Sequence, residues 1–147
     1  MGLAGISMVE NSNAPNPMGP VLFFDGECAL CHGAVRRLIQ WERPQHEGLL
    51  FAPLDGPTAK KLRRQNQLTS QQDAVVLWTA KRSLLGEAAV GEALNIIGRT
   101  GWSRTFQRCP APIRRMGYRM MARHRHRLFG RVESACPLPS EPARFLP

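Results

Sequence analysis

Four adjacent apolar residues, Val21, Leu22, Phe23 and Phe24, end a stretch of sequence with no usable period. No polar residue alternates with them, the pattern of a strand buried on both faces. Asp25-Gly26 then supplies a turn. From Ala29 to about Glu42, Leu30, Ala34, Val35, Leu38, Ile39 and Trp41 recur near helical spacing, with Arg36, Arg37 and Gln40 on the polar side and Pro44 marking the end. Leu49, Leu50, Phe51, Ala52 and Leu54 predict a second strand. Pro57 to Asn66 reads as a basic helix with proline in its first turn, where a missing N–H is harmless. A third strand is expected over Ala74–Trp78, and Lys81-Arg82-Ser83 as a hairpin tip leads to Leu84 and Leu85 in a fourth. Ala88 to Ile97 returns to helical spacing through Ala89, Ala93, Leu94 and Ile97. The order β-α-β-α-β-β-α describes an α/β fold, a small mixed sheet with flanking helices.

Outside this core the pattern changes. Residues 1–20, ending in NSNAPNPMGP, read as a flexible leader, and Gly98–Pro112 as a connector rich in Gly, Pro and Arg. Ile113 to Leu128 predicts a basic helix with Ile113, Met116, Met120, Met121 and Leu128 near one side, stopped by Gly130. Four prolines between Cys136 and Pro147 point to an extended or loosely docked tail. The expected organisation is leader 1–20, one domain over 21–135 that includes the C-terminal helix, and tail 136–147. There is no internal repeat.

Length and composition agree with one globular domain. The chain has 147 residues, 43% hydrophobic and 21% charged, enough for a sizeable core. No apolar run approaches the roughly 18 residues of a membrane span. The first 20 residues lack the basic and apolar regions of a secretory signal, and Ile6 stands where a myristoylation motif wants Ser or Thr. A cytoplasmic setting is the default expectation. There the four cysteines are reduced thiols, metal ligands or redox groups rather than structural staples.

Two of those cysteines carry the chemistry. Cys28 and Cys31 stand three positions apart where a strand and a turn deliver the chain to a helix start. Thiol–disulfide exchange needs a thiolate and a second thiol able to displace the mixed disulfide. The free N–H groups and dipole of a helix N-terminus favour the thiolate. Cys28, at the boundary, is expected to be the exposed nucleophile, and Cys31, one turn inside, the resolving thiol. Asp25 and Glu27 oppose this with nearby negative charge. Such exchange requires neither an organic cofactor nor a metal. Two other readings share the residues. Cys31 precedes His32, which spells the C-x-x-C-H of haem attachment, and the pair could be half of a zinc site with Cys109, Cys136, His124 or His126. A missing signal and a missing second C-x-x-C weigh against them. His32 is expected on the helix surface.

With the C-x-x-C directly ahead of its first helix, the element order is the thioredoxin-like plan. D-G-x-C-x-L-C, here Asp25, Gly26, Cys28, Leu30 and Cys31, resembles the signature of the DCC family of thiol–disulfide oxidoreductases. Downstream, Tyr118, Ala122, Arg125, Leu128, Phe129, Gly130 and Cys136 resemble the family's C-terminal segment. The resemblance spans about residues 21 to 147 and implies a thioredoxin-like fold, redox activity at the cysteine pair and supporting roles for Asp25, Gly26, Leu30, Tyr118 and Arg125. Cys136 is a candidate third redox thiol, and Cys109 an incidental one. Thioredoxins themselves place a cis-proline just before the third strand, facing the cysteines. The matching stretch here, Ser70 to Asp73, has none, so a different mode of substrate docking is expected.

The formal net charge is +9, and no acidic residue lies between Glu92 and Glu133. Arg99, Arg104, Arg108, Arg114, Arg115, Arg119, Arg123, Arg125, Arg127 and Arg131 fill that interval. Arginine suits bidentate contacts with phosphate or carboxylate, so an acidic partner, an anionic membrane surface or nucleic acid is a candidate. A merely solvated helix face is the bland reading. No helix-turn-helix, zinc-finger or aromatic RNA-binding signature accompanies the charge. The preferred expectation has the helix packing on the core through its methionine face. The sequence therefore points first to an enzyme exchanging disulfides with a thiol- or disulfide-bearing protein or small molecule. The alternative is a non-catalytic thioredoxin-like binding module whose arginine-rich helix docks to a protein, membrane or nucleic acid.

Overall fold

The computed structural model describes residues 19–46, 48–68, 74–79, 82–132 and 142–147. Its four strands are β1 (Val21–Phe24), β2 (Leu50–Pro53), β3 (Val76–Trp78) and β4 (Ser83–Leu85), in the sheet order β2-β1-β3-β4. β1 pairs in parallel with β2 and antiparallel with β3, and β3 pairs antiparallel with β4. Among the described residues five α-helices accompany them: α1 (Ala29–Trp41), α2 (Pro57–Arg64), α3 (Gly86–Ile96), α4 (Thr100–Arg108) and α5 (Ala111–Phe129). A parallel β1-α1-β2 unit joined to an antiparallel β3-β4 hairpin and α3 is a thioredoxin-like α/β arrangement.

The unbroken apolar run of β1 is explained by what lies on its two sides. Leu22 and Phe24 enter a cluster with Cys31, Val35 and Ile39 of α1 and Ala89 and Ala93 of α3. Val21 and Phe23 face the other way, with Ala59 and Leu62 of α2, Val76 and Trp78. Alternate residues of one strand thus serve two cores, as the period of a strand requires. None of the described helices is long and apolar enough to cross a membrane.

Two expectations are corrected and a third is sharpened. The stretch read as a connector, Gly98–Pro112, contains helix α4. Its few apolar residues hide an attachment made by a polar one, since Ser103 is fully buried and its hydroxyl donates to the Gly91 carbonyl of α3 (2.9 Å). The methionine face of α5 does not pack on the core. Met116, Met120 and Met121 are 61%, 59% and 43% exposed, and Leu128 69%. The inward edge of α5 is Tyr118, Ala122 and Arg125, at i, i+4 and i+7. For the tail, expected to be extended or loosely docked, the last six residues are held against the rest of the fold. A 3-10 turn at Pro142–Arg144 leads to Phe145, which bridges Phe51 in parallel, while the Leu146 N–H donates to the Phe51 carbonyl (2.8 Å). Arg144 forms an ion pair with Glu42.

Candidate functional site

The turn after β1 and the start of α1 place the two cysteines. Cys28 is the N-cap of α1 with extended backbone (φ −90°, ψ 118°), and its Sγ accepts the backbone N–H of Cys31 at 3.3 Å. A cap acceptor satisfies one of the orphan donors of a helix start, and here the acceptor is sulfur. The Cys28 N–H closes the preceding turn onto the Asp25 carbonyl (3.2 Å). The pair is therefore held by the local chain, as the spacing predicts.

Exposure differs from the expectation. Cys28 is wholly buried, and Cys31 is 8% exposed. The cause is a strap following α5. Gly130, with φ +77°, ends the helix, and Arg131 forms an antiparallel bridge with Cys28. The Val132 N–H donates to the Glu27 carbonyl (2.9 Å), and the Ala29 N–H to the Gly130 carbonyl (3.4 Å). Gly130 is legible in the sequence as a helix stop. That the next two residues fold back over position 28 is a contact across about a hundred residues, which no local pattern encodes.

Burial pushes the Cys31 thiol up to about 12, and hydrogen bonding and charge interaction with Cys28 push in the same direction. The Arg125 charge and a backbone hydrogen bond with Asp25 pull it down by less. Cys31 thus keeps its proton at neutral pH. The same shift has a consequence for stability. Above pH ~9 the unfolded chain loses this proton while the folded chain holds it until about 12, so this contribution is complete below pH ~9 and lost as pH rises through about 12. Denaturant titrations from pH 8 to 11 should show the wild type losing stability faster than Cys31→Ala. Parallel pH profiles would overturn the assignment.

The negative charge of Asp25 is offset. Its Oδ2 meets Arg125 Nη2 at 3.0 Å and His126 Nε2 at 3.1 Å, and its Oδ1 accepts the Glu27 N–H at 3.0 Å. Glu27 is more exposed, with Arg131 at 3.9 Å. Arg125 is itself buried, at 7% exposure. The carboxylate thus ties the turn that carries the cysteines to α5. Gly26 is buried, and its carbonyl lies 2.6 Å from His32 Nε2. That geometry assigns the Nε2 proton to this hydrogen bond. The placement corrects the expectation of a surface histidine: His32 is 5% exposed and meets Phe24 edge-on.

Tyr118 stands apart from the sulfurs in its role. Its hydroxyl accepts the N–H of Val75, the residue before β3 (3.0 Å), and its ring lies against Gly86. Gly86 has φ +59°, and a Cβ there would come within 3.3 Å of the ring. Burial raises the Tyr118 pKa, while the Val75 N–H pulls it down by less. Tyr118 is a tether between α5 and the chain entering β3. The proline-free stretch Ser70–Asp73 lies outside the described residues, as does Cys136. Cys109 is a free, partly exposed thiol at the end of α4. Among the described residues, no three of His, Cys, Asp and Glu gather as a metal would require.

Leu30 and Cys31 also line a cavity of about 410 Å³ bounded by α1, α3, α5 and the sheet. Sequence reading missed this cavity, together with Arg37 and Trp41 at its edge and the part played by His126. The first two lie on a helix face whose apolar members are readily taken for core.

A thioredoxin-like fold with a C-x-x-C at the N-terminus of α1 defines the class. The chain belongs to the DCC1-like thiol-disulfide oxidoreductase family, whose model matches residues 22–131. It is 33% identical over 131 residues to the uncharacterized protein YuxK of Bacillus subtilis (strain 168), covering 86% of this chain and 93% of that one. It is 30% identical over 118 residues to a chloroplastic DCC family protein of Arabidopsis thaliana, covering 78% and 67% respectively. No solved structure matches it significantly.

Proposed function

We propose that the protein is a thiol–disulfide oxidoreductase that cycles Cys28 and Cys31 between dithiol and disulfide. The observation that carries the reading is the capping geometry, a Cys31 N–H donated to Cys28 Sγ beside a Cys31 thiol that retains its proton. In the reducing direction the Cys28 thiolate attacks one sulfur of a substrate disulfide, and that S–S bond breaks. The departing thiolate takes its proton from water, and Cys31 gives its own to solvent once the Cys28 charge is gone and the parted strap has exposed it. Cys31, now a thiolate, attacks Cys28 Sγ, forming the intramolecular disulfide and releasing the second substrate thiol after protonation. Two electrons pass from the protein to the substrate. The strap at Gly130–Val132 parts from Glu27–Ala29 to admit the substrate. A thiol- or disulfide-bearing protein or small molecule is the partner, and the reducing cytoplasm is the setting in which the resting dithiol is maintained.

The test is to produce Cys31→Ser in the host and separate adducts without reductant. Mixed disulfides on Cys28 that dissolve on adding dithiothreitol are the expected result. Recovery of the variant as an unmodified thiol, with no trapped partner, would overturn the reading. The competing function, a binding module, has one observation in its favour. Arg104, Arg108, Arg119, Arg123 and Arg127 are exposed, with no carboxylate partner among the described residues. Salt-sensitive binding to anionic vesicles or DNA by a protein that traps nothing would favour it.

A further inference from the structure

The cavity between α1, α3 and α5 has a composition that dithiol chemistry does not by itself require. Its volume of about 410 Å³ falls in the range of small-molecule sites. Leu22 and Phe24 of the sheet close its deep side, and Val90 and Leu94 of α3 form another wall. Five lining residues carry polar groups, Cys31, Arg37, Trp41, Tyr118 and Arg125, yet the surface they give the cavity is almost wholly apolar. Three of them are engaged in the site described above. The Cys31 thiol interacts with Cys28, the Tyr118 hydroxyl accepts from Val75, and Arg125 pairs with Asp25.

Arg37 differs. It is exposed at the rim, and no carboxylate among the described residues pairs with it. Its guanidinium lies 5.6 Å from the ring centroid of Trp41, which in turn stacks on Trp102 at 5.7 Å. The distance to Trp41 is within cation–π range, and a cation–π contact uses none of the guanidinium's hydrogen-bond donors, which suit binding of a carboxylate by two hydrogen bonds. No acidic residue lines the cavity. The run from residue 99 to 131, which supplies α4 and α5, contributes arginines and no acid, so the field at the mouth favours anions. Cys31 and Arg37 are six residues apart on α1, about 9 Å along the helix axis.

We propose that this cavity binds an aliphatic carboxylate, its chain lying among the apolar walls as far as Cys31 and its carboxylate held by Arg37 at the rim. An apolar cavity holds water poorly, so an alkyl chain displaces little that was well bound. Each methylene taken from water should tighten binding about fourfold. The carboxylate adds a charge-assisted pair with Arg37 that an alcohol of the same length cannot make. The site goes beyond disulfide exchange and does not depend on it, because no sulfur need react for the ligand to bind.

Calorimetric titration of the full chain with hexanoate, octanoate and decanoate, each below its micelle concentration, tests the proposal. One equivalent of decanoate should bind, about fourfold more tightly per added methylene along the series. Decanol should bind at least about 10-fold more weakly than decanoate. Arg37→Gln should erase that difference while keeping the affinity for decanol. Ala34→Phe, at an exposed position on the lining, should abolish binding of both while its circular dichroism stays that of the wild type. Ala122→Leu is a second filling variant should the first fail to fold. Cys28→Ser, at a position that does not line the cavity, should bind decanoate as the wild type does, which separates this result from that of the exchange reaction. Unsaturable binding, no dependence on chain length, or unchanged affinity in the filled variants would overturn the proposal. So would binding that appears only after residues 1–18 are removed, which would make that segment the occupant.

Discussion

Cys28→Ser should lower the rate of exchange with a small aromatic disulfide by at least about 10³-fold, on the scale seen when an enzyme's nucleophile is deleted. Serine keeps the shape of the cap and can still accept the N–H that Cys28 Sγ accepts from Cys31. It is not ionised at neutral pH and forms no disulfide, so structure is preserved while the reaction is lost. Cys31→Ser should behave differently. The first attack, by Cys28, remains, and the reaction stops at a stable mixed disulfide because nothing resolves it. Stopped-flow absorbance of the released thiol reads both halves: a single equivalent in Cys31→Ser and a near-absent signal in Cys28→Ser. Cys31 is the slightly more exposed residue of the pair, so the opposite outcome has a definite meaning. A dead Cys31→Ser beside a reactive Cys28→Ser would make Cys31 the attacking group and the strap irrelevant to access.

Asp25→Ala should destabilise the fold by about 3 kcal/mol, the low end of the range for removing one partner of a buried ion pair. Arg125 keeps 8% of its side chain exposed and Asp25 21%, so water screens the pair only in part. The loss leaves the Arg125 charge without its carboxylate, and the Glu27 N–H loses its Oδ1 acceptor. For a chain of this size the midpoint of thermal unfolding should fall by roughly 6–12 °C. Asp25→Asn, which keeps the acceptor for Glu27, should lose less. A fall of under about 2 °C for Asp25→Ala would show that the Asp25 bridge between turn and α5 contributes little.

The sequence was most legible where one residue type has one physical use. The run Val21–Phe24, bounded by Asp25-Gly26, could be little other than a central strand ending in a turn, and both faces of β1 are buried. The cysteine spacing likewise fixed which thiol caps α1. Hydrophobicity misled at α5, because the residues it turns inward are a phenol, an alanine and an arginine, while the methionines face solvent. Their inward role is visible only as Tyr118, Ala122 and Arg125 recurring at helical spacing within the family-like segment. α4 escaped for a related reason, since its buried residue is a serine bonded to a backbone carbonyl. Burial of Cys28 depends on the return of the chain at Gly130, and the cavity on how three helices meet.

The docking of residues 145–147 has a further consequence for solubility. β2 is a border strand of the sheet, and such a border ordinarily offers unpaired N–H and C=O groups to any other extended chain. Here the protein supplies its own extended segment. The Leu146 N–H takes the Phe51 carbonyl, the Phe145 ring lies 5.7 Å from that of Phe51, and the Pro147 carbonyl accepts from Thr58. Removal of residues 145–147 would uncover β2 and invite strand-to-strand self-association, whereas the far border, β4, offers three residues for such pairing.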